Sequence, residues 1–216
     1  MADDSADDVI ELYTWTTPNG YKIAIMLEEL AMPYRLHMIN IGKGEQFAPD
    51  FLKISPNNRI PAIVDPDGPD GQTISIFESG AILQYLGRKF DRFYPINERR
   101  KSDVDQWLFW QVGGLGPMAG QAFHFRKYAT EKITYGIDRY TGEVTRLFGV
   151  MERALAERPF LAGEYSIADI ACYPWVSEWR GLGQDLSQFP KLSAWHAAIS
   201  TRPGVQRGMA VGKAAA

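Results

Sequence analysis

Three short stretches of this chain carry residue types able to hold a charged or reactive ligand. The first is Tyr13-Thr14-Trp15-Thr16-Thr17-Pro18-Asn19-Gly20, where an apolar run hands over to a helical pattern. Pro18 suits a first helical turn, because its missing N–H would have no intrahelical partner there. The free N–H groups of a helix start attract anions, a thiolate among them. Hydroxyls of Thr16 and Thr17 and the amide of Asn19 can donate to the same charge. The turn contains no cysteine, so a reactive sulfur placed here must come from a ligand.

The second stretch is Arg59-Ile60-Pro61, an X-Pro step directly before a strand. Its ordinary reading is a trans proline at the first residue of a strand. A cis bond would instead turn the Ile60 backbone groups outward, where an extended peptide can pair with them. The third is Glu78-Ser79, at a strand-to-helix junction. The plain reading there is capping, with Ser79 satisfying an orphan N–H and Glu78 complementing the helix dipole.

Other reactive residue types point away from chemistry. Cys172 sits in the apolar run Ile170-Ala171-Cys172-Tyr173-Pro174-Trp175, as an inert core thiol does. A self-contained dithiol mechanism is excluded, since the chain has one cysteine. His37, His124 and His196 are scattered without ligand spacing, so no metal is expected.

The elements that must position these stretches follow from periodicity. Val9-Ile10-Glu11-Leu12-Tyr13 reads as a strand, and Ile23, Met26, Leu27 and Leu30 form the stripe of an amphipathic helix. That helix ends near Ala31-Met32-Pro33, because the residue before a proline avoids the helical region. Tyr34 to Ile39 alternates as a second strand, and the Gly-rich Asn40–Phe47 stretch reads as a flexible loop before a short helix opened by Pro49. Ala62-Ile63-Val64 and Thr73-Ile74-Ser75-Ile76 flank the turn-forming Pro66-Asp67-Gly68-Pro69-Asp70-Gly71, as an antiparallel hairpin does. A helix carrying Ile82, Tyr85 and Leu86 follows. The order βαβ, α, ββα predicts a mixed four-stranded sheet with helices on both sides.

Beyond Asp91 the strand signal disappears. Tyr94 to Asn97 reads as a linker, and a long helix starts near Glu98, with Val112-Gly113-Gly114-Leu115-Gly116-Pro117 predicting a kink. A second helix carries Ile137, Tyr140, Val144, Leu147 and Met151. Ser166-Ile167-Ala168-Asp169 has the spacing of a capping box opening a third. The last helix spans about Pro190 to Ser200 and stops at Arg202-Pro203. This half is all-α.

Composition narrows the partners. A net charge of -3 with no basic tract argues against nucleic acid. No apolar run reaches membrane-spanning length. The acidic Met1–Asp8 segment is the reverse of a signal peptide and is expected to be a disordered tail, and a lone cysteine suits a reducing compartment, the cytoplasm.

Taken together, Asn57-Asn58-Arg59-Ile60-Pro61-Ala62-Ile63, Phe77-Glu78-Ser79-Gly80-Ala81-Ile82 and Ser166-Ile167-Ala168-Asp169-Ile170-Ala171 resemble the glutathione transferases. The resemblance runs from about Val9 to Pro203. Thr17-Pro18-Asn19-Gly20, Gly42-Lys43-Gly44-Glu45-Gln46-Phe47 and the run from Gln106 to Met118 look like the nu class of bacteria and fungi. It implies α/β plus all-α architecture: a thioredoxin-like glutathione-binding domain over 9–90 and an all-helical domain over 98–216. It implies a cis Ile60-Pro61 that pairs with the cysteinyl part of glutathione, Glu78 and Ser79 on the γ-glutamyl end, and Gln46 on the glycine end. Arg139 is the match for an arginine that the class uses on its helical domain. Many members place a tyrosine, serine or cysteine beside the sulfur; here Thr17 and Asn19 stand there, which suits thiol–disulfide exchange better than rapid conjugation. The expected activity is glutathione-dependent disulfide reduction, with organic hydroperoxide reduction and weak transfer to small electrophiles, in a homodimer. The alternatives are removal of glutathione from thioether conjugates, or a non-catalytic regulatory or assembly module.

Overall fold

The computed structural model describes residues 9–213, so the acidic segment expected to be disordered lies outside them. Two compact units separate: residues 9–90 with 203–213, and Asp91–Arg202.

In the first unit β1 (Ile10–Thr14) pairs in parallel with β2 (Tyr34–Met38) and antiparallel with β3 (Ala62–Asp65), which pairs antiparallel with β4 (Ile74–Phe77). The sheet order is therefore β2-β1-β3-β4. Leu12 stands opposite Leu36 on one side and Ile63 on the other, and alternation along β1 buries Ile10, Leu12 and Thr14. Helices α1 (Pro18–Leu30), α2 (Pro49–Ile54) and α3 (Ser79–Lys89) complete the βαβ-α-ββα order. This is a thioredoxin-like domain. The β3–β4 connection contains Asp70 in the left-handed region, φ 59°.

Helix α1 is buried over more than its predicted stripe, since Ala24 and Ile25 are as enclosed as Ile23 and Met26. The cause is a helix that the sequence reading missed, α9 (Pro203–Ala210), which packs on α1. The 98–216 stretch was expected to stay within the helical half, yet its last segment joins the first unit. Pro203 suits a helix start rather than a stop. Gly208 and Gly204 permit the approach: an added Cβ would lie 2.5 Å from Ile25 Cα and 2.9 Å from Glu29 Cα. Arg207 then donates to the Glu28 carboxylate at 2.6 Å.

The second unit is helical: α4 (Glu98–Trp110), α5 (Gly116–Phe123), α6 (Thr134–Ala154), α7 (Ile167–Ser177) and α8 (Pro190–Ser200). Asn97 caps α4 by accepting from the Arg100 N–H at 3.2 Å. The predicted kink is a π-helical turn, Gln111–Leu115. Pro117 cannot donate, and its ring crowds the carbonyl four residues back, which a widened turn relieves. Val144, Leu147, Phe148 and Met151 form the buried face of α6.

The capping box of α7 is present, and its acid does more than close a helix. Fully buried Asp169 accepts from the N–H groups of Leu161 (3.0 Å) and Ser166 (3.1 Å) and from Trp195 Nε1 (2.8 Å). Burial pushes its pKa from 3.8 up to about 6, against the donors, which pull it down. A folded pKa above the unfolded one means that the stability this group contributes is fullest below the unfolded value of 3.8 and declines as pH rises through about 6. Asp169→Ala strands the buried N–H donors of Leu161, Ser166 and Trp195 as well as the Ser166 hydroxyl, and should lower the unfolding free energy by about 3 kcal/mol or more in denaturant titration. The stability advantage of wild type over Asp169→Asn should shrink as pH rises through that same window.

Candidate functional site

The site begins where β1 becomes α1. Thr17 adopts extended backbone at the helix cap, and its hydroxyl oxygen accepts from the Gly20 N–H at 3.2 Å. Pro18 occupies the first helical position, as its chemistry demands. Gly20 has no room for a side chain: an added Cβ would sit 2.2 Å from the Trp15 carbonyl oxygen and 2.4 Å from Thr14 Oγ1. The Tyr13 hydroxyl is engaged elsewhere, donating to Glu11 at 2.8 Å, and burial followed by that bond pushes its pKa up to about 12. No phenol therefore serves this turn from the strand. Threonine and asparagine remain.

Asn19 faces a cavity of about 240 Å³ that it shares with Arg59, Ile60, Pro61, Glu78 and Ser79. The Ile60-Pro61 bond is cis, the less common of the two readings open from the residues. The approach to it is held by Ser55, fully buried, whose hydroxyl donates to the Arg59 carbonyl at 2.8 Å. Five of the eight residues proposed from sequence are thus brought together: Asn19, Ile60, Pro61, Glu78 and Ser79.

The capping reading of Glu78-Ser79 is corrected. Glu78 occupies the cap position of α3 without a capping bond from its side chain, and Ser79 is the first helical residue. Glu78 has φ 70° and ψ 114°, a conformation that L side chains rarely adopt. Such backbone strain, about 1–3 kcal/mol, concentrates where a side chain must be aimed at a ligand. Its carboxylate is exposed at the cavity. The Ser79 hydroxyl instead accepts from Lys22 Nζ at 3.2 Å. Lys22, on α1, is only 2% exposed. Sequence reasoning passed over it; the available signal was a lone cation inside Tyr21-Lys22-Ile23-Ala24-Ile25-Met26-Leu27.

Three predicted residues are not among those that line the cavity. Thr17 caps α1. Gln46 sits in a short 3-10 turn, Glu45–Phe47, entered through Gly44 at φ 79°. Its Oε1 is buried with no hydrogen-bond partner among the described residues, a cost that a ligand N–H would remove. The loop before it is tied by local hydrogen bonds: Asn40 Oδ1 accepts from Gly42 and Lys43 N–H groups, and Glu45 accepts from the Asn40 N–H. Arg139 is exposed on α6 of the second unit. Among the cations near Glu143, Arg146 holds that carboxyl low most strongly through a hydrogen bond, and Arg139 adds its charge.

Cys172 is fully buried on α7. Among the described residues no group of three or more His, Cys, Asp or Glu side chains could hold a metal ion, and no helix is long and apolar enough to cross a membrane.

This sheet domain, with a cis proline beside a helix start, followed by a helical domain, defines the class. Residues 8–88 match the glutathione S-transferase N-terminal domain and residues 134–198 the glutathione S-transferase C-terminal domain. The chain belongs to the glutathione S-transferase family. It is 50% identical over 203 residues to disulfide-bond oxidoreductase YfcG of Escherichia coli (strain K12), spanning 93% of this chain and 94% of that protein. A glutathione transferase of Pseudomonas putida, with one glutathione disulfide bound per subunit, superposes with a TM-score of 0.91 at 41% identity, covering 97% of this chain and 94% of that one. One from Burkholderia graminis, with two glutathione molecules bound per subunit, has a TM-score of 0.91 at 39% identity, covering 98% and 91%.

The turn geometry makes a prediction of its own. Gly20→Ala should lower stability by about 1–3 kcal/mol, because the crowding atoms are backbone and a short side chain. Gly142→Ala is the control: its Cβ meets nothing within 4 Å, and in mid-helix it should add up to about 1 kcal/mol. Thermal and denaturant melts of both variants check the contrast.

Proposed function

We propose that this protein catalyses glutathione-dependent thiol–disulfide exchange on small disulfides. What supports this reading is the convergence of Asn19, cis Ile60-Pro61, Glu78 and Ser79 on one cavity at the start of α1, while the chain's one cysteine is fully buried on a helix of the second unit. The relatives' named activity and their bound glutathione and glutathione disulfide point the same way.

In this reading the Ile60 backbone pairs with the cysteinyl backbone of glutathione. Glu78 accepts from the γ-glutamyl ammonium, while Ser79 and the start of α3 donate to its carboxylate. Gln46 meets the glycine end. The thiol then lies at the start of α1, where helix N–H groups and the Asn19 amide favour its ionised form. One unit of pKa lowering needs about 1.4 kcal/mol, within reach of such donors. The thiolate attacks a disulfide, forms a mixed disulfide and expels one thiolate. A second glutathione attacks the mixed disulfide, releasing the second thiol and leaving glutathione disulfide, so two glutathiones are oxidised for each disulfide reduced. Replacing the disulfide by an organic hydroperoxide yields an alcohol and water at the same cost in glutathione. Weak transfer to electrophiles uses the first step alone.

Arg139 is assigned to a carboxylate of glutathione, as a cation and not as an acid or base. The same reading makes the protein a nu-class enzyme of the cytoplasm that works as a homodimer. A stable monomer in sedimentation at micromolar concentration would remove the dimer from it.

Steady-state reduction of a small disulfide in single variants tests the mechanism. Asn19→Ala should lose about tenfold or more in turnover with little loss of affinity, since its amide acts where sulfur charge develops. Thr17→Ala should lose less turnover, yet cost about 1 kcal/mol of stability through the lost cap. Glu78→Ala should weaken glutathione binding more than the chemical step. Cys172→Ala should keep full activity; abolished turnover in a folded Cys172→Ala protein would overturn the glutathione-only cycle.

A further inference from the structure

We propose that Lys22 is the positioning residue that makes Ser79 a reader of carboxylate, and so selects γ-glutamyl peptides bearing a free α-carboxylate. The proposal rests on the reading that Ser79 meets that carboxylate. Lysine is among the residue types least often fully buried, because withdrawing an ammonium from water is costly without a partner. Here it is 2% exposed, and its Nζ lies 3.2 Å from Ser79 Oγ. An ammonium only donates, so the Ser79 oxygen is the acceptor in that bond. The Ser79 proton must then point elsewhere, and Ser79 lines the cavity.

The placement follows from the helix. Asn19 and Lys22 are three residues apart on α1, hence neighbours on its surface. Asn19 lines the cavity, while Lys22 reaches under its floor to the first residue of α3. The chain of donors runs from ammonium to hydroxyl to cavity. Each bond polarises the next, and in a low-dielectric setting this strengthens the last donor toward an anion. A neutral group at the same place gains neither the polarised proton nor the buried charge behind it. The pair therefore discriminates by charge, where Ser79 alone would discriminate only by hydrogen bonding.

The test measures dissociation constants by calorimetry for glutathione and for 4-aminobutanoyl-cysteinyl-glycine, which lacks only the α-carboxylate. Unaltered protein should bind the analogue on the order of tenfold or more weakly, the size of a charge-assisted hydrogen bond. Lys22→Met, similar in length and folded by melting, should bind glutathione about tenfold more weakly, bind the analogue as before, and so nearly abolish the discrimination. Lys22→Gln, neutral but still a donor, carries the same expectation in part and replaces Lys22→Met should that variant not fold. Undiminished discrimination in a folded Lys22 variant overturns the proposal and leaves Lys22 as packing. Equal binding of the two peptides by unaltered protein overturns the Ser79 assignment beneath it. The two failures are thus told apart.

Discussion

The structure depends on one close approach, that of Gly20 to the end of β1. With a hydrogen where other residues carry Cβ, the first turn of α1 can sit against the Trp15 carbonyl and the Thr14 side chain. The chain therefore turns from strand to helix with only Trp15, Thr16 and Thr17 between β1 and α1. β1 is paired on both edges and α1 is enclosed by its own unit, so neither end of the turn can relax. A helix start held this rigidly presents its N–H groups in a fixed direction, which is what stabilising a charge without reorganisation requires.

Around this start, side chains are divided by what they can no longer do. Tyr13 has the phenol that thiol chemistry could use, yet burial and Glu11 keep its proton in place. Cys172 has the sulfur, and it lies within the buried stretch of α7. The groups that line the cavity are amide and hydroxyl donors, the Arg59 cation, a carboxylate on strained backbone and the backbone at a cis bond. No cysteine is among the residues that line it. Sulfur chemistry in this cavity belongs to whatever peptide occupies it.

Charge is handled by depth. Glu78 is exposed at the cavity on strained backbone, so any charge there acts in competition with water. Lys22 is buried and reaches the cavity through a hydroxyl. In a low dielectric a fixed cation acts more strongly than an exposed one, at the expense of desolvation that the rest of the fold must offset. Asp169 shows the same arrangement in the helical unit, where a buried acid ties a loop, a helix start and Trp195 together.

Much of this was legible in the residues. The βαβ-α-ββα order, the Pro18 helix start, the helix beginning near Glu98 and the Ser166 capping box follow from local signals: alternation, helical spacing, prolines and caps. These are properties of neighbours in sequence, which is why sequence reports them. The five cavity residues came instead from the family resemblance of longer strings, since locally Pro61 reads as trans and Glu78-Ser79 as caps. What sequence could not report was which distant element would cover which face. The second buried side of α1 exists because α9 returns to it, and no periodicity in α1 names that partner. Ser79 reads as a cap until Lys22, 57 residues earlier, is found beside it. The π-turn before Pro117 likewise replaces a simple kink. Periodicity states that a residue will be buried; only tertiary packing decides against what, and for a lysine or a serine that choice is the whole of its role.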